Sequence, residues 1–154
     1  MLICCVIALL FCITGNAKVP YIPKIINYSV SDYKAGNQNW AVSQGPGGKM
    51  YIGNNRGLLV FDGIHWDLVK LPNNLGVRAL YISKDGRIYV GSFEEFGYFE
   101  MDDENDLIYH SLSSSEMNVY LNNDEFWTIN EYKGEIYFQS FRSFFIYDGE
   151  KVRK

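Results

Sequence analysis

The residues best suited to hold a ligand sit at three short turns. Asn54, Asn55 and Arg56 form the first, Phe93, Glu94, Glu95 and Phe96 the second, and Phe141 and Arg142 the third. A guanidinium can clamp a carboxylate through parallel N–H donors. An aromatic ring can stack on a sugar face while amides and carboxylates fix its orientation in a concave site. The three turns occupy corresponding places in copies of one repeat that agree elsewhere and diverge here. Variable loops on a constant scaffold are where binding groups concentrate. Asn55, Arg56, Phe93, Glu94, Glu95, Phe141 and Arg142 are therefore the candidate ligand-binding set. The competing reading makes them solvated loop tips with local ion pairs.

Other chemistry is poorly served. Asp102, Asp103, Glu104 and Asp106 make an acidic turn, but the spacing lacks the alternating oxygens, central glycine and distal glutamate of a calcium loop. His65 and His110 are placed in fourth strands, with neither triad nor metal-ligand spacing. Glu94 and Glu95 are adjacent, and a strand would send them to opposite faces, unlike the facing carboxylates of a glycosidase. Trp40, Trp66 and Trp127 read as packing residues rather than a stacking platform. No glycine pair opens a helix, so none is a phosphate cradle. All three cysteines, Cys4, Cys5 and Cys12, fall in the N-terminal apolar segment, which leaves no disulfide framework or thiolate site in the rest. Neither a cofactor nor a metal is expected, and no catalytic residue stands out.

The elements that must position these turns follow from one repeated pattern. Gly48-Lys49-Met50-Tyr51-Ile52-Gly53 is echoed by Gly86-Arg87-Ile88-Tyr89-Val90-Gly91 and by Gly134-Glu135-Ile136-Tyr137-Phe138-Gln139. Each copy is a glycine turn, a charged residue and an apolar–Tyr–apolar strand. A period near 40 residues with strand-like content is the mark of a β-propeller, one repeat per four-stranded blade. The reading is an all-β partial propeller of about three antiparallel blades, at residues 38–72, 77–112 and 125–154. Residues 113–124 form an insertion with one helical turn. Leu58-Leu59-Val60-Phe61 and Phe144-Phe145-Ile146-Tyr147 are apolar at every position, which implies cover on both faces rather than one wet face. The third repeat breaks off in its fourth strand, so the expectation is a piece of a longer chain. Propellers need about four blades or more to close.

Residues 1–17 carry an uncharged apolar run ending at Gly15-Asn16-Ala17. That is read as an export signal with a small-residue cleavage site, too short for a spanning helix of about 20 residues. Residues 18–37, with Pro20 and Pro23, are read as an extended lead-in. The net charge is −4 over 154 residues, with no Lys/Arg cluster, so direct nucleic-acid binding is not expected. With 47% apolar and 16% aromatic residues the chain is not disordered.

Asn27-Tyr28-Ser29, Tyr33, Asn37-Gln38-Asn39-Trp40, Gly57-Leu58-Leu59-Val60-Phe61-Asp62-Gly63 and Trp66 together resemble the start of the bacterial two-component regulator propellers. Ile136-Tyr137-Phe138-Gln139-Ser140-Phe141 and Ile146-Tyr147-Asp148-Gly149 resemble a following blade of that family. The resemblance implies a periplasmic sensory propeller followed by a triple-tyrosine β-sandwich, a transmembrane helix and a cytoplasmic output. It also implies partners: an unknown small molecule or oligosaccharide, the remaining blades and the membrane-proximal domain. The reading is a non-enzymatic sensor segment. A secreted carbohydrate-active propeller enzyme and a structural interaction module are the alternatives.

Overall fold

The structure is a computed structural model and describes residues 23–154. The apolar segment and its cleavage site lie outside the described residues, as does the start of the lead-in.

Strands follow the repeat. Blade 1 is β1 (Asn39–Gln44), β2 (Met50–Asn54), β3 (Gly57–Phe61) and β4 (Trp66–Val69). Blade 2 is β5 (Ala79–Ile82), β6 (Ile88–Gly91), β7 (Phe96–Met101) and β8 (Leu107–Ser111). Blade 3 is β9 (Phe126–Tyr132), β10 (Glu135–Ser140), β11 (Phe144–Tyr147) and β12 (Val152–Arg153). Each blade is a separate four-stranded antiparallel sheet with its strands in sequence order. The chain is thus an all-β partial propeller of three four-stranded blades.

Register makes the repeats superimpose. Tyr51 pairs with Val60, Tyr89 with Tyr98 and Tyr137 with Ile146. Side chains alternate across a sheet, so each blade has a leading face, toward the next blade, and a trailing face. Tyr51, Leu58 and Val60 lead from blade 1 and meet Ile88, Val90 and Phe99 on the trailing face of blade 2. Tyr89 and Phe96 lead from blade 2 and meet Ile136, Phe138, Phe145 and Tyr147 on blade 3. The first seam is mostly aliphatic, and the second is a cluster of rings. Phe96 lies 4.8 Å from Phe138 and 5.2 Å from Phe145, centroid to centroid. Gly91 permits this approach, since a Cβ there would stand 2.6 Å from the Cβ of Phe126.

A polar residue at one register position ties each blade to its own incoming chain. Asn54, Ser92 and Ser140 are all buried. Asn54 Nδ2 donates to the Gly36 carbonyl, Ser92 Oγ to the Gly76 carbonyl, and Ser140 Oγ to the Asp124 carboxylate. A buried polar group left without such a partner would cost about 1–3 kcal/mol.

Four expectations are corrected. The lead-in is not wholly extended: α1 (Val30–Tyr33) is one helical turn. The Ser29 backbone N–H and hydroxyl both donate to the Asp32 carboxylate, at 2.6 and 2.7 Å, and this pairing starts the turn. His65 precedes β4 rather than lying in it, and its Nδ1 stands 3.3 Å from Asp62 Oδ2, an acidic partner three residues away. Glu94 and Glu95 sit in a bend, where Glu94 has φ 55°, so strand alternation does not govern them. Phe144, read as covered, keeps 49% of its surface exposed. The insertion does hold its turn, α2 (Asn118–Leu121), after a 3-10 segment (Ser115–Met117).

Candidate functional site

The inner strands β1, β5 and β9 begin at the end of the sheets where each second strand turns into the third. Val42, Leu80 and Ile129 occupy one register position, opposite Ile52, Val90 and Phe138. Two residues earlier stand Trp40, Arg78 and Trp127, a row that crosses all three blades. Arg78 places its guanidinium 4.5 Å over the Trp40 ring. The Trp40 and Trp127 centroids are 5.6 Å apart, and Phe141 continues the row at 5.6 Å from Trp127.

Polar groups hold this row in place. Arg78 Nε donates to Glu125 Oε1 at 2.6 Å, and its Nη1 donates to Asn55 Oδ1. The same Asn55 oxygen accepts from Trp40 Nε1 at 2.7 Å. Asn55 Nδ2 donates to Gln38 Oε1. The Arg78–Glu125 pair is mostly buried, with about a fifth of each side chain exposed. The rings are not: Trp40 is 41% exposed, Trp127 37% and Phe141 74%. The rings are inclined to one another, by 76° between Trp40 and Trp127 and 57° between Trp127 and Phe141, so with the fixed cation, carboxylate and amide they make an angled aromatic cleft that can contact the apolar C–H faces and polar edges of a ligand.

The structure distributes the seven candidate residues unevenly. Asn55 and Phe141 enter the patch. Phe93 is 40% exposed and forms a backbone bridge to Glu125 beside it. Arg56 is exposed, and its side chain has no hydrogen bond among the described residues. The remaining three are engaged inside the fold. Glu94 accepts from the Asn123 N–H, and Arg142 Nη2 donates to the Asn122 and Asn123 carbonyls, so two loops grip the end of the insertion. Glu95 accepts from Tyr109, Ser111 and Ser113 hydroxyls. Burial, then the charge and hydrogen bond of Glu95, push the Tyr109 phenol well above its usual range.

Trp40, Arg78, Glu125 and Trp127 are the site residues that reading the loops missed. Trp66 does pack, 4.3 Å from Phe61, but Trp40 and Trp127 present open rings. The signal was the register: Trp40 and Arg78 stand equally far before Gly48 and Gly86, while the shorter β9–β10 turn displaces Trp127 by one residue. Asp102 caps its own turn by accepting from the Glu104 and Asp106 N–H groups. Among the described residues no cluster of His, Cys, Asp or Glu is arranged to hold a metal.

Residues 70–94 match the sequence model of a family described as "Two component regulator propeller". The resemblance read from the repeats is matched in blade 2. Solved structures agree on the fold. The extracellular domain of a proposed one-component system from B. thetaiotaomicron superposes with a TM-score of 0.67 at 12% identity, covering 84% of this chain and 18% of that one. The extracellular domain of a proposed hybrid two-component system from the same organism gives a TM-score of 0.58 at 20% identity, covering 81% and 16%. The chain therefore spans less than a fifth of the length of these structures. No curated protein matches the chain.

Proposed function

We propose that the chain is part of an extracytoplasmic sensory propeller of a membrane-anchored signalling regulator, and that it binds a small molecule or oligosaccharide without turning it over. The observation that carries the binding reading is the row of Trp40, Arg78 and Trp127 in one register across three blades, with its rings open and its polar groups fixed. The regulator context is supported by the family match in blade 2 and by the similar structures, both extracellular domains of proposed signalling systems. Binding would act by favouring one packing of these blades against the remaining blades and a membrane-proximal domain, which requires different affinity for two states.

Tryptophan emission tests this directly, because two of the three tryptophans lie in the patch. Titration with a panel of oligosaccharides is expected to change the emission, and Trp127→Ala to weaken binding at least tenfold. The reading fails if ligands bind the Trp127→Ala chain as well as the parent, or if the panel is cleaved by the protein. An export assay with a reporter fused after residue 154 checks the location; reporter activity confined to the cytoplasm would overturn it.

A further inference from the structure

The two seams differ at the end of the sheets remote from Trp40 and Trp127. There the tyrosine of each repeat follows a charged residue by two positions, and strand alternation puts both on one face. In blade 3 the pair serves itself, since Tyr137 donates to Glu135 Oε2 at 2.9 Å. Between blades 2 and 3, Tyr81 reaches across and donates to Glu131 Oε2 at 2.7 Å. The register equivalents between blades 1 and 2 are Ser43 and Ile82. A short alcohol facing an alkyl chain makes no such bond, so this seam lacks that polar tie.

A cavity of about 630 Å³ opens there instead, against about 280 Å³ between blades 2 and 3. Its size is that of pockets that hold small ligands. Lys49 and Tyr51 line it from blade 1, and Asp85, Arg87, Glu100 and Met101 from blade 2. Both walls belong to an internal seam, so the cavity does not depend on what borders either end of the stack. Tyr51 keeps only 3% of its surface exposed, and its hydroxyl has no hydrogen bond among the described residues. Burial raises its phenol, with no partner contributing. No fully sealed side-chain oxygen or nitrogen among the described residues lacks a partner, so the Tyr51 Oη is reached from the cavity it lines. Gly45 lets the ring lie there, because a Cβ would stand 2.6 Å from Tyr51 Cε2.

Lys49 takes the place that Glu135 has in blade 3, so Tyr51 has a second donor beside it where Tyr137 has an acceptor. The Lys49 ammonium makes no ion pair or hydrogen bond among the described residues. Arg87 meets Glu100 at 3.5 Å and Asp85 at 4.0 Å, both longer than the roughly 2.7–2.9 Å of a charge-assisted hydrogen bond. What the cavity lacks is therefore an acceptor. We propose that the seam between blades 1 and 2 is a second ligand site, which takes an organic monocarboxylate. The carboxylate accepts from Lys49 and Tyr51, and the organic body lies against the Tyr51 ring and Met101. Asp85 and Glu100 on the facing wall disfavour a second negative charge, as do Asp67 and Asp106 in the smaller cavity beyond Lys49. A phosphate dianion is thus a poor occupant. A bound carboxylate supplies blade 1 with the acceptor that Glu131 supplies to Tyr81 in the other seam.

Calorimetric titration of the 154-residue chain at neutral pH tests the site, with glucuronate, phenylacetate, glucose and inorganic phosphate as probes. At least one carboxylate is expected to bind saturably, and glucose and phosphate to bind far more weakly. The tighter carboxylate tells whether the occupant is a sugar acid or an aromatic acid. Lys49→Gln, a change at an exposed side chain that the fold does not need, should weaken carboxylate binding about tenfold, and Tyr51→Phe about threefold. Without ligand, Tyr51→Phe should melt no lower than the parent, because the hydroxyl it removes has no partner to lose. The proposal is overturned if neither carboxylate binds, if glucose or phosphate binds as tightly, or if Lys49→Gln leaves the affinity unchanged. A lower melting temperature for the empty Tyr51→Phe chain also overturns it, since the hydroxyl would then already be satisfied. Trp127→Ala separates this site from the aromatic cleft: carboxylate binding that Trp127→Ala weakens and Lys49→Gln spares belongs to the cleft and counts against the seam.

Discussion

Leu59 and Phe144 both stand on end faces of the stack, yet Leu59 has no exposed surface and Phe144 keeps half of its own. Both come from strands that are apolar at every position. The difference is made by the fewer than ten residues of the lead-in that cross blade 1 and have no counterpart on blade 3 among the described residues. A propeller blade does not cover itself, so whether its outer face is core or surface depends on the segment that happens to cross it. The middle blade is the reference: Val90, Phe96 and Phe99 are fully buried because a sheet lies on either side.

The largest expected effect tests that difference. Leu59→Ala should destabilise the chain by about 2–5 kcal/mol, the range for a buried leucine whose cavity cannot collapse. Phe144→Ala, although it removes a larger side chain, should cost no more than about 0.5 kcal/mol, as exposed positions usually do. Urea unfolding followed by far-UV dichroism measures both. Equal losses would mean that the two ends are equally covered in solution.

Asn54 sharpens the comparison one step down. Asn54→Ala removes the tie between blade 1 and its lead-in and should cost about 1–3 kcal/mol. Hydrogen exchange is expected to quicken at residues 28–39 while the seam strands β6 and β10 stay protected. If protection falls evenly across all three blades, the lead-in is part of the cooperative core and not a separate cover.

Alkaline pH probes the phenols that the seams bury. Burial pushes Tyr147 up to about 12, with Tyr98 adding its charge and hydrogen bond, and burial raises Tyr51, Tyr89 and Tyr109 as well. These groups keep their protons in the folded chain above pH 10, where the unfolded chain has lost them. The unfolded state then binds fewer protons, so stability is full below pH 10 and falls as pH rises toward the folded values. The melting temperature should decline between about pH 10 and pH 12, and Tyr109→Phe should make the decline shallower. A profile unchanged by Tyr109→Phe would show that this phenol is not protected by the seam.

The sequence carried the blades well, because a glycine turn followed by apolar–Tyr–apolar states both strand and register in a few residues. Positions set by what lies opposite were harder to read. Phe144 looks like Leu58 in the chain, and only the absence of an overlying sheet among the described residues separates them. The lead-in turn was signalled by Ser29 and Asp32, three apart, but Pro20 and Pro23 drew attention to extended backbone instead. The Trp40, Arg78 and Trp127 row was hidden by turn length: aligning on glycines puts Phe126 beside Arg78, whereas aligning on Ile52, Val90 and Phe138 puts Trp127 there. The charged loop residues were conspicuous for the opposite reason. Glu94, Glu95 and Arg142 diverge because each blade joins its neighbour differently, and their hydrogen bonds run to those joints.

The smallest expected effect probes the open end alone. Arg153 Nη2 donates to Glu135 Oε1 at 2.6 Å on the rim of the blade 3 leading face, with Asp148 3.9 Å away. Its hydrogen bond to Glu135 raises the guanidinium and lowers the carboxylate. Both groups are wet, and an exposed pair gains little because water screens it and ordering two long side chains has an entropic cost. Arg153→Gln should therefore leave the melting temperature unchanged at neutral pH. If it drops by several degrees, the pair works in a drier setting than an open rim provides, and something covers this face in solution.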